Sequence, residues 1–349
     1  MKREFKALSL FSGAGGMDLG FRKAGFNVIW ANDFNEAACD TYCANIGKEI
    51  RHGSLMDYDY AKLPSCDLVF GGPPCQGFSV AGKMDPSDPR SRLVFEFQKV
   101  VATKRPRFFV MENVAALARL NRFMEVRTRL LTEYKKMGYV VQFKVLDSQF
   151  YETPQRRERM IMIGTRDHRA RIAFPRHCRR LITAREVLSA LDEAGTENNL
   201  GICEARITVA KHPVLRSSPY SGMLFNGLGR PIDLDRPCQT LPASMGGNKT
   251  PFIDTERLRN PEAEDWLVTL HRHALDGEDI TKYPVPPTFR RITVSEAAAL
   301  QGFPQGFTFC GSKCEQYRQI GNSVPPPFAY HIAKSVMKSM QDNSSNDFQ

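Results

Sequence analysis

The chain lacks any long apolar run, and this absence excludes a membrane-spanning helix. None of its 349 residues belongs to a stretch approaching the ~18 consecutive apolar residues that such a helix needs. The residues after Met1 lead into a predicted strand and not into the apolar core of a signal peptide. With 42% hydrophobic and 25% charged residues, the composition is that of a soluble protein, and we expect it to act in the cytoplasm.

Cysteine pairs of the Cys-x-x-Cys kind are also missing, which excludes a zinc ribbon. The nine cysteines are scattered, and their odd number indicates free thiols in a reducing compartment. Cys39 and Cys43 fall on one predicted helix, where packing explains them better than a metal does. Cys310 and Cys314 have no histidine nearby. The sequence therefore predicts no metal site.

The stretch at residues 71–79 reads Gly-Gly-Pro-Pro-Cys-Gln-Gly-Phe-Ser and follows the apolar run 67–70, which predicts a buried strand. Its glycines allow the backbone to approach a ligand closely, and its prolines hold the chain extended. This stem presents Cys75, whose thiolate would be a strong nucleophile. The alternative is a cysteine buried as a small hydrophobic residue, but a core cysteine needs no such frame.

A second glycine-rich stretch, at residues 13–16, lies between the first predicted strand and a helix. Asp33 ends the second predicted strand, about 20 residues further on, where an acidic residue commonly meets a cofactor ribose. The Gly-x-Gly-x-x-Gly spacing is absent, which favours a nucleoside cofactor without a diphosphate over NAD. Phe34 is either a stacking surface for an adenine or a core aromatic.

Predicted strands and helices alternate from the amino terminus to about residue 165, which indicates a doubly wound, mostly parallel sheet. Glu112 ends a strand on the same side of the sheet as Cys75, so it is a candidate acid, the alternative being a solvated carboxylate. Arg157 and Arg159 alternate into another strand and should lie on one face. The formal charge of +10 favours a polyanionic partner.

Six short motifs occur in a fixed order and together resemble the motif series of the DNA cytosine-5 methyltransferases. The resemblance covers most of the chain and stops between residues 173 and 290. The motifs are Phe-Ser-Gly-Ala-Gly-Gly from residue 11, Gly-Pro-Pro-Cys-Gln-Gly-Phe-Ser from 72, Glu-Asn-Val from 112, Gln-x-Arg-x-Arg from 155, Leu-Gln-Gly-Phe-Pro from 300 and Gln-Ile-Gly-Asn-Ser-Val-Pro from 319.

The resemblance implies a Rossmann-like, S-adenosylmethionine-dependent methyltransferase fold with a smaller, irregular target-recognition domain. It implies a catalytic domain of residues 1–172 plus 291–349, because the family places its last helix against the first strand. Residues 173–290 would form the recognition domain. Within these segments, Thr183 with Glu186 and Thr293 with Glu296 predict capping boxes at the starts of two helices.

The same resemblance assigns catalytic roles. Cys75 would add to C6 of cytosine, which makes C5 electron-rich enough to accept a methyl group. Glu112 would hold the N3 and N4 edge of the base, Arg159 would contact O2, and Arg157 would support the loop near the thiol.

The implied site for S-adenosylmethionine draws on residues from several loops. Ser54 departs from the family pattern, which has aspartate there, and this predicts a lower cofactor affinity. Asp57 can substitute only if its loop is rearranged. The predicted cofactor residues are Phe11, Gly13, Ala14, Gly16, Asp33, Phe34, Ser54, Leu55, Pro74, Leu93, Asn322 and Val324.

The implied substrate is double-stranded DNA, from which the target cytosine must be turned out of the helix. Two sets of residues are predicted to contact the DNA, although surface charges and tight turns are the ordinary alternatives. The loop after Cys75 supplies Gln76, Ser79, Lys83 and Arg90, and the glycine-rich loops 224–230 and 243–250 supply Asn226, Arg230, Asn248 and Lys249.

The family further suggests a monomer that is associated with the nucleoid in use, and a companion restriction endonuclease that forms no stable complex with it. Three other functions stay open at this point: a tRNA cytosine-5 methyltransferase, a nicotinamide oxidoreductase on the same type of sheet, and an inactive DNA-binding relative. The presence of Cys75, Glu112 and Arg159 disfavours the last.

Overall fold

The computed structural model of the protein describes residues 4–74 and 93–342. The chain divides into two compact units. The first consists of the described parts of Met1–Tyr151, Arg157–Cys178 and Ser323–Gln349, and the second of Glu152–Arg156 and Arg179–Asn322. The first unit is discontinuous in sequence.

A seven-stranded sheet forms the centre of the first unit. Its strands are β1 (Phe5–Leu10), β2 (Phe26–Asp33), β3 (Ile50–His52), β4 (Leu68–Gly71), β5 (Phe108–Val114), β6 (Val140–Asp147) and β7 (Glu158–Thr165). Their order is β3-β2-β1-β4-β5-β7-β6. The pairs among β1 to β5 are parallel, and β7 runs antiparallel between β5 and β6. The predicted α/β class and the mostly parallel sheet are confirmed.

Successive residues of the central strands point to opposite faces, and both faces are apolar. Leu68 and Phe70 belong to one hydrophobic cluster, and Val69 between them belongs to another. Helices cover both faces, so the strands are buried on both sides. The first-unit helices are α1 (Gly16–Lys23), α2 (Glu36–Asn45), α3 (Leu93–Lys104), α4 (Ala115–Arg119), α5 (Met124–Lys136) and α11 (Pro326–Gln341).

Helix α11 returns to pack against α1, at the start of the chain. Phe328, Ile332 and Val336 recur at helical spacing and belong to its buried face. The two helices approach so closely that a Cβ at Gly20 would lie 2.5 Å from the Cβ of Ala329. Glycine is therefore required at this contact, because any side chain there would push the helices apart.

The second unit contains short elements around a smaller core. Strand pairs β8/β9 and β10/β11 are both antiparallel. Both predicted capping boxes are present, at the starts of α6 and α9. The elements are α6 (Ala184–Leu188), β8 (Val209–Val214), β9 (Met223–Phe225), β10 (Phe252–Asp254), α7 (Thr255–Arg259), α8 (Trp266–Leu275), β11 (Phe289–Arg291), α9 (Val294–Gln301) and α10 (Lys313–Asn322).

The segment that the resemblance implied to be irregular also contains a regular helix, α8, which the sequence analysis did not predict. This helix spans ten residues and buries Leu267, Leu270 and Ala274. Asp265 caps it by accepting hydrogen bonds from the backbone N–H groups of Leu267 and Val268. The compact units also divide the chain at other residues than the predicted functional domains, which remain a prediction.

Two absences concern only the part of the chain that the structure describes. Over residues 4–74 and 93–342, no helix combines the length and apolar character needed to cross a membrane. No disulfide joins the eight cysteines in those ranges, as predicted. Cys39 and Cys43 lie on α2, and the buried position of Cys39 supports packing as its role.

Candidate active site

The parallel strands end together at one edge of the sheet. Leu10 pairs with Asn32 on one side and with Gly71 on the other, and Gly71 pairs with Met111. The segments that follow these positions are the glycine loop, Asp33, the stem before Cys75, and Glu112. In open α/β sheets this edge is where ligands bind, so the first unit brings these four parts of the predicted site together.

The predicted glycine loop and Asp33 are joined directly. The backbone N–H of Gly13 donates to Oδ2 of Asp33 at 2.8 Å, and the N–H of Asn35 donates to Oδ1 at 2.9 Å. Burial raises the pKa of Asp33 above its ordinary value, against the lowering effect of these hydrogen bonds. Gly13 has φ of 54°, and no atom lies within 4 Å of where its Cβ would stand, which leaves room for a ligand.

Phe34 is 71% exposed, so the core-aromatic alternative is wrong. An exposed aromatic next to Asp33 is suited to stack on an adenine. The hydroxyl group of Ser54 is engaged within its own loop, because it accepts a hydrogen bond from the N–H of Met56 at 3.3 Å at the start of a short 3-10 turn. Asp57 is exposed at the end of that turn.

The other predicted cofactor residues occupy varied positions. Phe11 adopts φ of 56°, which is uncommon for a residue with a side chain, immediately after β1. Asn322 belongs to the second unit, so the first unit contains the set without it. Ala14, Gly16, Leu55 and Val324 are buried, whereas Pro74 and Leu93 are half-buried.

Glu112 and Arg159 form an ion pair between β5 and β7. The distance from Arg159 Nε to Glu112 Oε1 is 2.8 Å, and the two side chains are 16% and 12% exposed. Burial raises the pKa of Glu112 above its ordinary value, while the charges of Arg159 and Arg157 act to lower it. The solvated alternative for Glu112 is therefore wrong, and a buried carboxyl group whose pKa lies above its ordinary value is a candidate for proton transfer.

The stem before Cys75 lies against the same strand. The side-chain amide of Asn113 donates to the carbonyl oxygen of Pro73 at 3.3 Å. A Cβ at Gly72 would stand 2.9 Å from Oε2 of Glu112, so glycine leaves space for the carboxyl group. Asn113 received no role from the sequence beyond its place in the Glu-Asn-Val motif, and the structure shows that it ties the stem to β5.

Arg157 comes immediately before β7 and is almost fully buried. Its backbone N–H donates to Oδ1 of Asp147 at 2.9 Å. Both arginine charges act on Glu112, which agrees with the prediction that they share one face. Cys75, Gln76, Ser79, Lys83 and Arg90 lie outside the described residues, and their roles remain predictions.

In the second unit, the two predicted recognition loops lie side by side. Their contact depends on two glycines: a Cβ at Gly227 would stand 2.2 Å from the carbonyl oxygen of Asn248, and one at Gly229 would stand 2.0 Å from that of Thr250. The N–H of Gly229 also donates to the carbonyl oxygen of Asn248 at 3.2 Å. The loops therefore form one surface, which the sequence did not reveal.

Arg291 lies beneath these loops and is 1% exposed. Its guanidinium donates to the carbonyl oxygens of Thr250 at 2.5 Å and Ala205 at 3.0 Å. Burial lowers the pKa of Arg291. A buried arginine bonded to backbone carbonyls fixes the loop that contains Thr250, because each carbonyl would otherwise lose a buried partner.

The four predicted DNA-contact residues of these loops differ in availability. Asn248 and Lys249 are exposed, and Arg230 is half-buried. Both groups of the Asn226 amide are engaged, since it accepts from the N–H of Thr208 and donates to the carbonyl oxygen of Arg206, each at 3.0 Å. Sequence reasoning missed Leu228, which is 56% exposed between the two contact glycines. Its only signal was an apolar residue inside a Gly-x-Gly turn.

Solved structures share this fold across nearly the whole chain. The Entamoeba histolytica methyltransferase EhMeth is 17% identical, with a TM-score of 0.67 over 98% of this chain and 99% of that one. The S. pombe Dnmt2 methyltransferase is 18% identical, with a TM-score of 0.58 over 99% of this chain and 100% of that one. The sheet order and these likenesses define a Rossmann-like methyltransferase fold.

The sequence profile described as C-5 cytosine-specific DNA methylase matches residues 5–338. Type II methyltransferase M.NgoFVII of Neisseria gonorrhoeae is 32% identical over 97% of this chain and 88% of its own length. Type II methyltransferase M.MthTI of Methanothermobacter thermautotrophicus is 32% identical over 95% and 97%, respectively. The chain belongs to the C-5 cytosine-specific DNA methylase family and is an enzyme of the DNA cytosine-5 methyltransferase class.

Proposed function

We propose that the protein methylates C5 of a cytosine turned out of double-stranded DNA, within a short specific sequence, through covalent attack of Cys75 on C6. S-adenosylmethionine supplies the methyl group from its sulfonium sulfur. The Cys75 thiolate adds to C6, which moves electron density to C5 and makes that carbon nucleophilic. C5 takes the methyl group, and S-adenosylhomocysteine is the leaving group. Water then accepts the C5 proton, the C5–H electron pair re-forms the C5=C6 double bond, and the C6–S bond breaks to release the Cys75 thiolate.

The observation that carries this proposal is the ion pair of Glu112 and Arg159 beside the Gly72–Pro73 stem. When Cys75 adds, negative charge develops at N3 and O2 of the ring. A carboxyl whose pKa burial has raised can donate a proton to N3, and a guanidinium next to it can stabilise O2. Glu112 and Arg159 lie on neighbouring strands, so the sheet does not have to rearrange for both groups to contact the substrate ring.

The cofactor is proposed to bind at the edge formed by the glycine loop and Asp33. Gly13 offers open space, Asp33 is an acceptor for ribose hydroxyls, and the exposed ring of Phe34 is suited to the adenine. No carboxylate follows Gly53, because Ser54 occupies that position and its hydroxyl already caps a turn. We therefore expect a lower cofactor affinity than in relatives with aspartate there.

Sequence recognition is proposed for the paired loops of the second unit. Asn248 and Lys249 are exposed there, together with Leu228, and such side chains contact base edges, phosphates and the thymine methyl group. The relatives named type II methyltransferases support a role as the modification half of a restriction-modification system. We further propose that the enzyme works as a monomer in the cytoplasm.

Methyl transfer from tritiated S-adenosylmethionine to duplex DNA and to tRNA, assayed side by side, tests the substrate. We expect label in the DNA, and bisulfite sequencing of that DNA identifies the modified cytosine. Label that enters only the tRNA would overturn the choice of DNA and favour the tRNA methyltransferase alternative.

The oxidoreductase alternative is tested by ligand-induced stabilisation, because a ligand that binds the native state raises the Tm. S-adenosylmethionine or S-adenosylhomocysteine should raise the Tm, and NAD should not. A larger shift with NAD would contradict the proposed cofactor.

A further inference from the structure

A series of buried, hydrogen-bonded polar side chains lies beneath the glycine loop. The proposed reaction gives no role to Asp18, the residue at the centre of this series. Asp18, on α1, is fully buried. Ser9 Oγ donates to Asp18 Oδ2 at 2.9 Å, and Tyr42 Oη lies 3.0 Å from Asp18 Oδ1. Burying a carboxyl group costs free energy even when two side chains form hydrogen bonds to it, so we expect Asp18 to have a specific effect on its surroundings.

Both partners of Asp18 support the glycine loop. Ser12 Oγ donates to Ser9 Oγ at 2.8 Å, and the N–H of Gly15 donates to the carbonyl oxygen of Ser12 at 2.9 Å. The ring of Tyr42 lies directly under Gly15, where a Cβ would stand 2.9 Å from Cδ2 of that ring. The carboxyl of Asp18 therefore holds the loop from two sides.

The series of hydrogen bonds that runs from Ser12 through Asp18 to Tyr42 ends at an ion pair. Tyr42 Oη also lies 3.0 Å from Glu49 Oε1, and Glu49 pairs with Arg22. A phenol has one proton, so Tyr42 cannot donate to both carboxyl groups at once. The observed distances are satisfied together when Asp18 is protonated and donates to Tyr42, which in turn donates to Glu49.

We propose that Asp18 is a positioning residue for the cofactor site, and that its proton completes the hydrogen-bonded chain which holds the Ser12–Gly15 loop in its ligand-binding shape. The groups that face it are Ser9 from β1, Arg22 from α1, Tyr42 from α2 and Glu49 before β3. Loss of the proton leaves one phenol between two anions, which breaks a link of the chain and loosens the loop.

The pKa values of Asp18 and Tyr42 agree with a proton on Asp18. Burial raises the pKa of Asp18 to about 7; the hydrogen bonds that Ser9 and Tyr42 can donate to the charged carboxylate and the charge of Arg22 act to lower it, and the charge of Glu49 acts to raise it. Burial also raises the pKa of Tyr42 far above its ordinary value, so the phenol keeps its proton. Asp18 is thus the member of the chain that changes charge near neutrality.

The inference rests on the proposed function for its ligand, and its test therefore has an arm without ligand. Amide exchange at Gly13 and Gly15, corrected for the intrinsic pH dependence of exchange, is measured from pH 6 to 8.5 in wild type and in Asp18→Asn. We expect protection to fall as the pH rises in wild type and to stay constant in the variant. Equal pH profiles in the two proteins would overturn the role of Asp18.

The second arm measures the Kd for S-adenosylmethionine and S-adenosylhomocysteine over the same range. We expect wild type to bind both ligands about fivefold or more weakly at pH 8.5 than at pH 6, a modest coupling, and Asp18→Asn to show no such trend. Tighter binding of the sulfonium ligand alone at high pH would indicate direct charge attraction and overturn positioning.

Two further variants separate positioning from general stability. Tyr42→Phe removes the bridging hydroxyl and should weaken both ligands at every pH. Tyr139→Phe is the matched control, because it removes a buried tyrosine hydrogen bond, 2.6 Å to the carbonyl oxygen of Pro106, elsewhere in the unit. It should lower the Tm and keep the pH trend; loss of the trend in this control would contradict the proposal.

Absence of ligand binding in wild type at any pH, with the exchange profile as expected, would instead refute the proposed function.

Discussion

Glu112 and Arg159 meet across antiparallel strands, with Arg159 Nε 2.8 Å from Glu112 Oε1. The register that brings them together pairs Val114 with Arg159, so the arginine is aligned at the end of β5 by backbone hydrogen bonds. Because the strand ladder fixes their separation, the pair is set before any substrate arrives. Such preorganisation is what makes charged groups effective in catalysis.

Replacement of this carboxyl should remove most of the activity. We expect Glu112→Gln to reduce single-turnover methyl transfer by roughly 10²–10⁴-fold, the usual contribution of a general acid, with DNA affinity little changed. Glu125→Gln, at an exposed position in α5, serves as the control and should match wild type. A reduction by Glu112→Gln no larger than that of the control would exclude the assigned role.

The thiol is tested by covalent capture. Wild type incubated with S-adenosylmethionine and a duplex containing 5-fluorocytosine should become permanently attached, because fluorine at C5 cannot leave as a proton does. Cys75→Ser should bind DNA and cofactor but form no adduct and lose most turnover. Cys43→Ser, at an exposed cysteine, should behave as wild type. An adduct mapped to a residue other than Cys75 would disprove the mechanism.

Specific DNA binding should weaken when the contact between the two recognition loops is blocked. A methyl group at Gly229 would press on the carbonyl oxygen of Thr250 and on Nη1 of Arg291, at 2.0 and 2.6 Å. We expect Gly229→Ala to weaken specific DNA binding at least tenfold and to leave the Kd for cofactor unchanged. Glu262→Ala, at an exposed position of the same unit, is the control and should bind DNA as wild type does. Normal DNA binding by Gly229→Ala would show that the joined loops are not the recognition surface.

Phosphate contacts should make binding sensitive to salt. We expect the logarithm of DNA affinity to fall steeply and linearly with the logarithm of salt concentration, because neutralised phosphates release counterions. Lys249→Ala should reduce the slope by about one if that side chain contacts a phosphate. Binding titrations between 50 and 200 mM salt measure the slope. A slope near zero in wild type would contradict the role given to the basic residues.

The pKa of Asp18 also predicts how stability varies with pH. Because the folded-state pKa is raised from 3.8 to about 7, the native protein holds a proton that the unfolded chain has already lost between those values. The contribution of Asp18 to the free energy of unfolding should therefore be full below about pH 4, decline as the pH rises to about 7, and level off above that. Urea unfolding of wild type and Asp18→Asn across this range measures it. A stability difference independent of pH would refute the shift.

Local features of the fold followed directly from the sequence. Apolar runs predicted strands of the first unit, and Thr183 and Thr293 predicted capping boxes that the structure contains. These succeed because strand burial and caps depend on residues within a few positions of one another. Helix α8 was missed, since its apolar residues lie in a segment with many turn-forming residues and its stability comes from packing against the unit's core.

The sequence by itself determined the alternating strands and helices of the first unit and the candidate groups, Glu112, Arg159, Asp33 and the glycine loop among them. Only the tertiary structure decided which of these groups touch: the Glu112–Arg159 pair, the join of Gly13 to Asp33, the side-by-side recognition loops, and the chain from Ser12 through Asp18 to Glu49. Such contacts depend on strand register and helix packing between residues distant along the chain. No local pattern of side chains encodes those distances, because they result from the folding of the whole unit.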